Sequence, residues 1–156
     1  MTLKSLDNFS KNIKGKLRFD YCLKNHTWLN IGGNAKIFFV PETLTELRDF
    51  LLYIKNDHNN FFIIGAGSNL LISENIKNRI FIKLGKNFNK ISLTKDNVVI
   101  AGCSILDKNV SDFACENHLS GLEFLSCIPG TIGGGIRMNS GCFGSEFKDV
   151  LLSVQV

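Results

Sequence analysis

Long apolar runs are missing from this 156-residue chain: none approaches the roughly 18 residues that a membrane-spanning helix needs, so no bilayer partner is expected. A secretory leader is missing too. Residues 1–15 are polar and lysine-rich, with no apolar stretch or small-residue cleavage site, which makes the cytoplasm the expected location. Cysteine is sparse and unpatterned: Cys22, Cys103, Cys115, Cys127 and Cys142 are odd in number and share no C-x-x-C spacing. That excludes a disulfide framework or a zinc ribbon, and their apolar neighbours predict reduced, largely buried thiols. Charge of one sign is scarce as well. The 18 basic and 14 acidic residues leave +4, and four lysines precede residue 17, which predicts a solvated arm rather than the dense stripe of a nucleic-acid surface.

What is present is ordinary soluble composition, 44% apolar and 21% charged, and enough length for one domain or two small lobes. Residues 35–40 form a β-branched and aromatic run that predicts a strand, ending at Pro41, which suits the first turn of a helix. Leu44, Leu47, Phe50, Leu51 and Ile54 then repeat at helical spacing, Asp57, Asn59 and Asn60 close the segment, and residues 61–64 predict a second strand. This strand, helix, strand unit should cross over right-handedly. Short runs at 80–84, 90–93 and 98–101, separated by Gly85, Asn87, Asp96 and Asn97, predict hairpins. Leu106, Val110, Phe113 and Ala114 return to helical spacing, with a stop within 117–121. Val150, Leu152, Val154 and Val156 alternate as one face of a strand whose partner is expected from further sequence or another chain, the alternative being a terminal strand paired inside the existing sheet.

Two glycine-rich segments carry the chemistry. The first, Gly65-Ala66-Gly67-Ser68-Asn69-Leu70-Leu71, follows a predicted strand directly. Its glycines permit positive φ and let consecutive backbone N–H groups converge on a phosphate, with Ser68 and Asn69 as further donors. A Rossmann fingerprint is excluded: Leu70 stands at the third glycine, no amphipathic helix follows, and Lys83, Gly85 and Lys86 stand where a ribose-binding acid belongs. The second segment, residues 128–144, holds six glycines in 17 positions and reads as a loop. Each glycine in an ordered element costs ~0.5–1 kcal/mol relative to alanine, which a ligand pressed against the backbone would offset. A tightly packed turn would offset it equally; two such segments together favour a dinucleotide.

The strings Asn25-His26-Thr27-Trp28-Leu29-Asn30-Ile31-Gly32-Gly33-Asn34-Ala35, Gly65-Ala66-Gly67-Ser68-Asn69-Leu70-Leu71 and Ile128-Pro129-Gly130-Thr131-Ile132-Gly133-Gly134-Gly135, followed by Met138-Asn139-Ser140-Gly141, resemble the UDP-N-acetylenolpyruvoylglucosamine reductases of peptidoglycan synthesis. The resemblance covers roughly residues 19–156. It implies an α+β FAD-binding fold of the vanillyl-alcohol oxidase and para-cresol methylhydroxylase type, built of two α+β subdomains and truncated at its C-terminus. The implied division is a basic arm at 1–18, a first FAD-binding subdomain at 19–72 and an incomplete second one at 73–156, with the substrate-binding domain absent. It implies that Gly65, Ala66, Gly67, Ser68, Asn69 and Leu70 hold the FAD pyrophosphate. Ile128, Pro129, Gly130, Thr131, Gly133, Gly134, Asn139 and Gly141 would line FAD elsewhere. Ser140 and Cys142 depart from the alanine frequent in the family.

In that family NADPH reduces FAD, and hydride then passes to the enolpyruvyl double bond of a UDP-sugar, giving UDP-N-acetylmuramate. The cofactor supplies the hydride chemistry; the protein supplies orientation and a proton. The serine, glutamate and arginine that assist lie downstream of the matched motifs, so no catalytic residue is assigned in this chain, which alone is expected to be inactive. Arg137, Glu123 and Glu146 read as surface residues, Trp28 as packing, and His26, His58 and His118 as scattered without metal spacing. Three functions remain open on the sequence: the flavin-binding part of such a reductase, an inactive fragment, and a module binding another nucleotide.

Overall fold

Large apolar side chains on consecutive residues make the central strands of the first sheet, because a strand buried on both faces needs no polar alternation. The computed structural model describes residues 9–10, 13–55 and 61–156. It divides into two units, Met1–Asn87 and Phe88–Val156. In the first unit β1 (Lys16–Cys22), β2 (Asn34–Val40), β3 (Phe61–Ile64) and β4 (Ile80–Lys83) form one sheet in the order β1-β2-β4-β3. β1 is antiparallel to β2, whereas β2 and β3 both run parallel to β4, with Ile37 and Phe61 each opposite Ile80.

Period-two alternation sorts the side chains onto two cores. Ile37, Phe39, Ile80 and Ile82 pack with Phe50 and Ile54 from helix α1 (Leu44–Tyr53) and its C-terminal turn. Phe38 and Phe81 turn the other way, to Leu23, Ile64 and Ile72. Phe39 and Phe50 are fully buried with ring centroids 4.3 Å apart, and truncating either to alanine would cost about 3–5 kcal/mol. The expected strand, helix, strand order therefore stands.

The α1 N-terminus is built by two side chains. Thr43 caps it, its Oγ1 accepting the Glu46 N–H at 3.1 Å. The Glu46 carboxylate accepts from the N–H groups of Glu42 (2.8 Å), Lys14 (2.7 Å) and Gly15 (3.2 Å). Several sequence expectations change here. Pro41 lies ahead of the cap, buried, not in the first helical turn. The arm expected at 1–18 is not wholly solvated: Lys14 and Gly15 are tied to Glu46, β1 begins at Lys16, and Phe9 packs against Phe39, Phe50 and Tyr53. Residues 80–84 form no hairpin but insert β4 between β2 and β3, which moves the division between units from 72/73 to 87/88. Asp57, Asn59, Asn60 and His58 lie outside the described residues.

The second unit opens with the antiparallel pair β5 (Ile91–Leu93) and β6 (Val99–Ala101), turned at Asn97, whose φ is +60°. Helix α2 (Asp107–Glu116) buries Val110 and Ala114 as its spacing predicts, while Leu106 becomes the exposed N-cap. It closes on His118 in the left-handed region, with the Leu119 N–H on the Ala114 carbonyl at 2.9 Å and the His118 N–H on Cys115 at 3.0 Å. A 3-10 turn (Glu123–Cys127), helix α3 (Ile132–Met138), the short pair β7 (Gly141–Cys142) and β8 (Ser145–Glu146), and helix α4 (Phe147–Val150) complete it. Ile105, Val110, Phe124, Leu125, Ile132 and Phe147 are its core. Residues 151–156 carry no strand pairing, and Val150, expected in a strand, ends α4. All five cysteines are free, yet none is buried: Cys22, Cys115 and Cys127 are exposed, and Cys103 and Cys142 half-buried.

Candidate functional site

Loop 65–71 leaves the C-terminal end of β3, where β2, β3 and β4 share one direction; in open sheets this is the edge at which ligands sit. No helix follows within 65–79, in keeping with the exclusion of a Rossmann fingerprint. Gly67 has φ +77° and is buried, its α-carbon pressed on the carbonyl of His26, where a β-carbon would overlap the oxygen. The Trp28 N–H donates to the Gly67 carbonyl at 3.1 Å, so the loop is docked on the turn between β1 and β2. Thr27 fixes that turn: its buried Oγ1 donates to the Ile31 carbonyl at 2.8 Å and accepts the Ile31 N–H at 3.2 Å. Ser68 and Asn69, by contrast, spend no side-chain hydrogen bond on any described residue and are available to a ligand.

The base of the loop is positive. Lys83, the last residue of β4, donates from Nζ to the Gly65 carbonyl at 2.9 Å, and burial holds its pKa below the usual lysine range. The His26 ring lies 4.6 Å from Phe38, with Nε2 3.2 Å from the Tyr21 hydroxyl. Its pKa is held down by burial first, then by the charges of Lys83 and Arg18. Among the described residues no carboxylate forms an ion pair with Lys83, His26 or Arg18. A half-buried loop with unspent donors above uncompensated positive charge fits the diphosphate of a dinucleotide. Sequence reasoning missed Lys83 and His26, noting Lys83 only as the wrong residue for a Rossmann ribose site. Trp28, expected to pack, is 60% exposed.

In the second unit the middle of the expected loop is helix. Ile132–Met138 is α3, with buried Thr131 as N-cap and Asn139 closing it at φ +46°. Its glycines answer to packing. A β-carbon on Gly133 would stand 3.0 Å from the Cys103 carbonyl, one on Gly135 would enter the Phe147 ring, and one on Gly130 would lie 2.5 Å from Asp107 Oδ2. The N–H groups of Ile132 and Gly133 already donate to the Ile105 and Cys103 carbonyls at 3.0 and 2.9 Å. Gly134 differs: its nearest neighbour would be Thr131 Oγ1 at an ordinary 3.4 Å. Gly141 packs against Ser145 in the β7–β8 pair. Asn139 uses both ends of its amide, donating to Glu146 Oε2 at 2.8 Å and accepting the Lys148 N–H at 3.0 Å. Ile128 is half-buried against the core, and Pro129 and Arg137 are exposed.

Asp107, the first residue of α2, is fully buried with neither carboxylate oxygen hydrogen-bonded to any described residue. Burial lifts its pKa to about 6.

A family model described as an FAD-binding domain matches residues 35–156, and the chain belongs to this family of FAD-binding domains. Within it the chain is similar to UDP-N-acetylenolpyruvoylglucosamine reductases. The chain is 50% identical over 157 residues to the UDP-N-acetylenolpyruvoylglucosamine reductase of Pelagibacter ubique, covering 99% of this chain and 51% of that protein. It is 46% identical over 143 residues to the one of Rickettsia prowazekii, covering 92% and 48%. The crystal structure of the Thermus caldophilus reductase superposes with a TM-score of 0.68 at 29% identity, covering 88% of this chain and 46% of that one. The α+β FAD-binding fold implied by the motifs is thus established, and the chain spans about half the length of the relatives it matches.

Proposed function

We propose that this chain is the flavin-binding portion of an NADPH-dependent reductase that converts UDP-N-acetylglucosamine enolpyruvate to UDP-N-acetylmuramate in the cytoplasm. The observation that carries this is the loop 65–70, whose Ser68 and Asn69 are unspent and whose glycine at 67 holds a left-handed turn, in a chain half identical to a reductase of that name. FAD, when bound, supplies the hydride chemistry. The residues of this chain bind and orient it: backbone and side-chain donors of residues 65–70 hold the diphosphate, and Lys83 keeps the potential there positive. In the second unit, Gly134 is the position at which a flat ligand meets bare backbone. Ile128, Pro129, Gly130, Thr131, Gly133, Asn139 and Gly141 serve mainly by shaping that segment. The UDP-sugar and NADPH belong to the reaction of the whole reductase.

Competition titration tests this. The chain is expected to take up FAD one to one, with FMN, ATP and the UDP-sugar displacing it only at large excess. Equal displacement by ATP would replace the flavin reading with that of a general nucleotide module.

A further inference from the structure

Lys83 is a half-buried cation with no carboxylate partner among the described residues. Such an arrangement costs stability in the free protein, since burying a charge without its opposite loses solvation that one hydrogen bond to a carbonyl only partly returns. It is the residue pattern of a place waiting for an anion. An ammonium carries three donors, and one of them is spent on the Gly65 carbonyl at 2.9 Å. The other two are unspent at the base of a loop whose Ser68 and Asn69 are likewise unspent.

We propose that Lys83 is the counter-charge of the anion gathered by loop 65–70, pinning the Gly65 carbonyl with one N–H and neutralising a diphosphate with the others. The proposal rests on the flavin reading above and adds to it the residue that makes the loop selective for a doubly charged diphosphate. It also gives Lys83 two separable duties. Lys83→Gln keeps an N–H for the Gly65 carbonyl and removes the charge; Lys83→Met removes both.

The full chain and both variants are titrated with FAD and with inorganic diphosphate at two or more salt concentrations, and their unfolding midpoints are compared without ligand. The expected result is that both variants bind FAD and diphosphate about 10- to 100-fold more weakly, as losing a charge-assisted hydrogen bond implies. Their affinity should also fall less steeply with salt, and Lys83→Met should be at least as stable as the parent, the lysine having been retained at the expense of the fold. If the parent binds FAD and both variants match it within twofold, with unchanged salt dependence, Lys83 is a structural residue and the inference is overturned while the flavin reading stands. If the parent binds diphosphate but not FAD, and the variants lose diphosphate, the flavin reading fails and the anion site survives. Binding of neither ligand by the parent overturns both.

Discussion

Gly67 and His26 touch through backbone alone: the α-carbon of one rests on the carbonyl of the other, leaving no room for a β-carbon. This contact seats the glycine loop on the β1–β2 turn and, with the Trp28 N–H on the Gly67 carbonyl, sets the loop's height above the sheet. Gly67→Ala meets both a steric overlap and a left-handed φ of +77°. The expected loss is about 1–3 kcal/mol of stability together with weaker FAD binding, measured by denaturant unfolding and flavin titration on the same samples.

The glycines of α3 divide by environment, and paired substitutions should separate packing from ligand contact. Gly135→Ala drives a methyl into Phe147 and should destabilise by about 1–3 kcal/mol. Gly134→Ala has room, with Thr131 Oγ1 at 3.4 Å, and should be neutral or gain up to about 1 kcal/mol from helix propensity. The same Gly134→Ala protein should bind FAD less tightly. Unaltered FAD affinity in a stable Gly134→Ala protein would remove that position from the site.

Asp107 makes stability depend on pH in a direction opposite to that of a salt-bridged acid. Its carboxyl keeps its proton to about pH 6 when folded but releases it near pH 4 when unfolded, so the folded state binds more protons between these values. Stability contributed by this group therefore falls as pH rises through that window, and the loss is complete above it. The loss amounts to about 3 kcal/mol at most. His26, with its lowered pKa, acts in the opposite sense below its unfolded value, but it is common to parent and variant and cancels in their difference. Urea unfolding of the parent and of Asp107→Asn at about pH 4 and pH 7 should show the parent losing ground relative to the variant at the higher pH. Parallel pH profiles would mean that the carboxylate is solvated.

Removing the Glu46 carboxylate should loosen the start of the chain. Glu46→Ala leaves the N–H groups of Lys14, Gly15 and Glu42 without their acceptor, for an expected cost of about 1–3 kcal/mol. Proteolysis ahead of β1 should accelerate in the variant; an unchanged cleavage rate would show that Phe9 and β1 suffice to hold this region.

Local pattern revealed α1 through its helical period, and β2 and β3 as short apolar runs of β-branched and aromatic residues bounded by turn signals. β4 was hidden. Ile80-Phe81-Ile82 fits a hairpin as well as a central strand, and only its long-range pairing between Ile37 and Phe61 decides. The helix at Ile132–Met138 was hidden for a different reason: three consecutive glycines have nearly the lowest helix propensity available, and it is close packing on Cys103 and Phe147 that selects the helix. The first loop was legible because a strand followed by Gly-x-Gly is local; its charge was not, since Lys83 and Gly65 lie 18 positions apart and meet only through strand pairing. Cysteine burial was misread because an apolar neighbour in sequence does not say which face a side chain takes.

The central claim is that residues 65–70 close around the diphosphate of FAD. Backbone amide hydrogen exchange of the full chain, with and without saturating FAD, tests it most directly. Slowed exchange at Gly65, Gly67, Ser68 and Asn69 on adding FAD is the expected result. FAD that binds while these amides exchange at their free rate would contradict it.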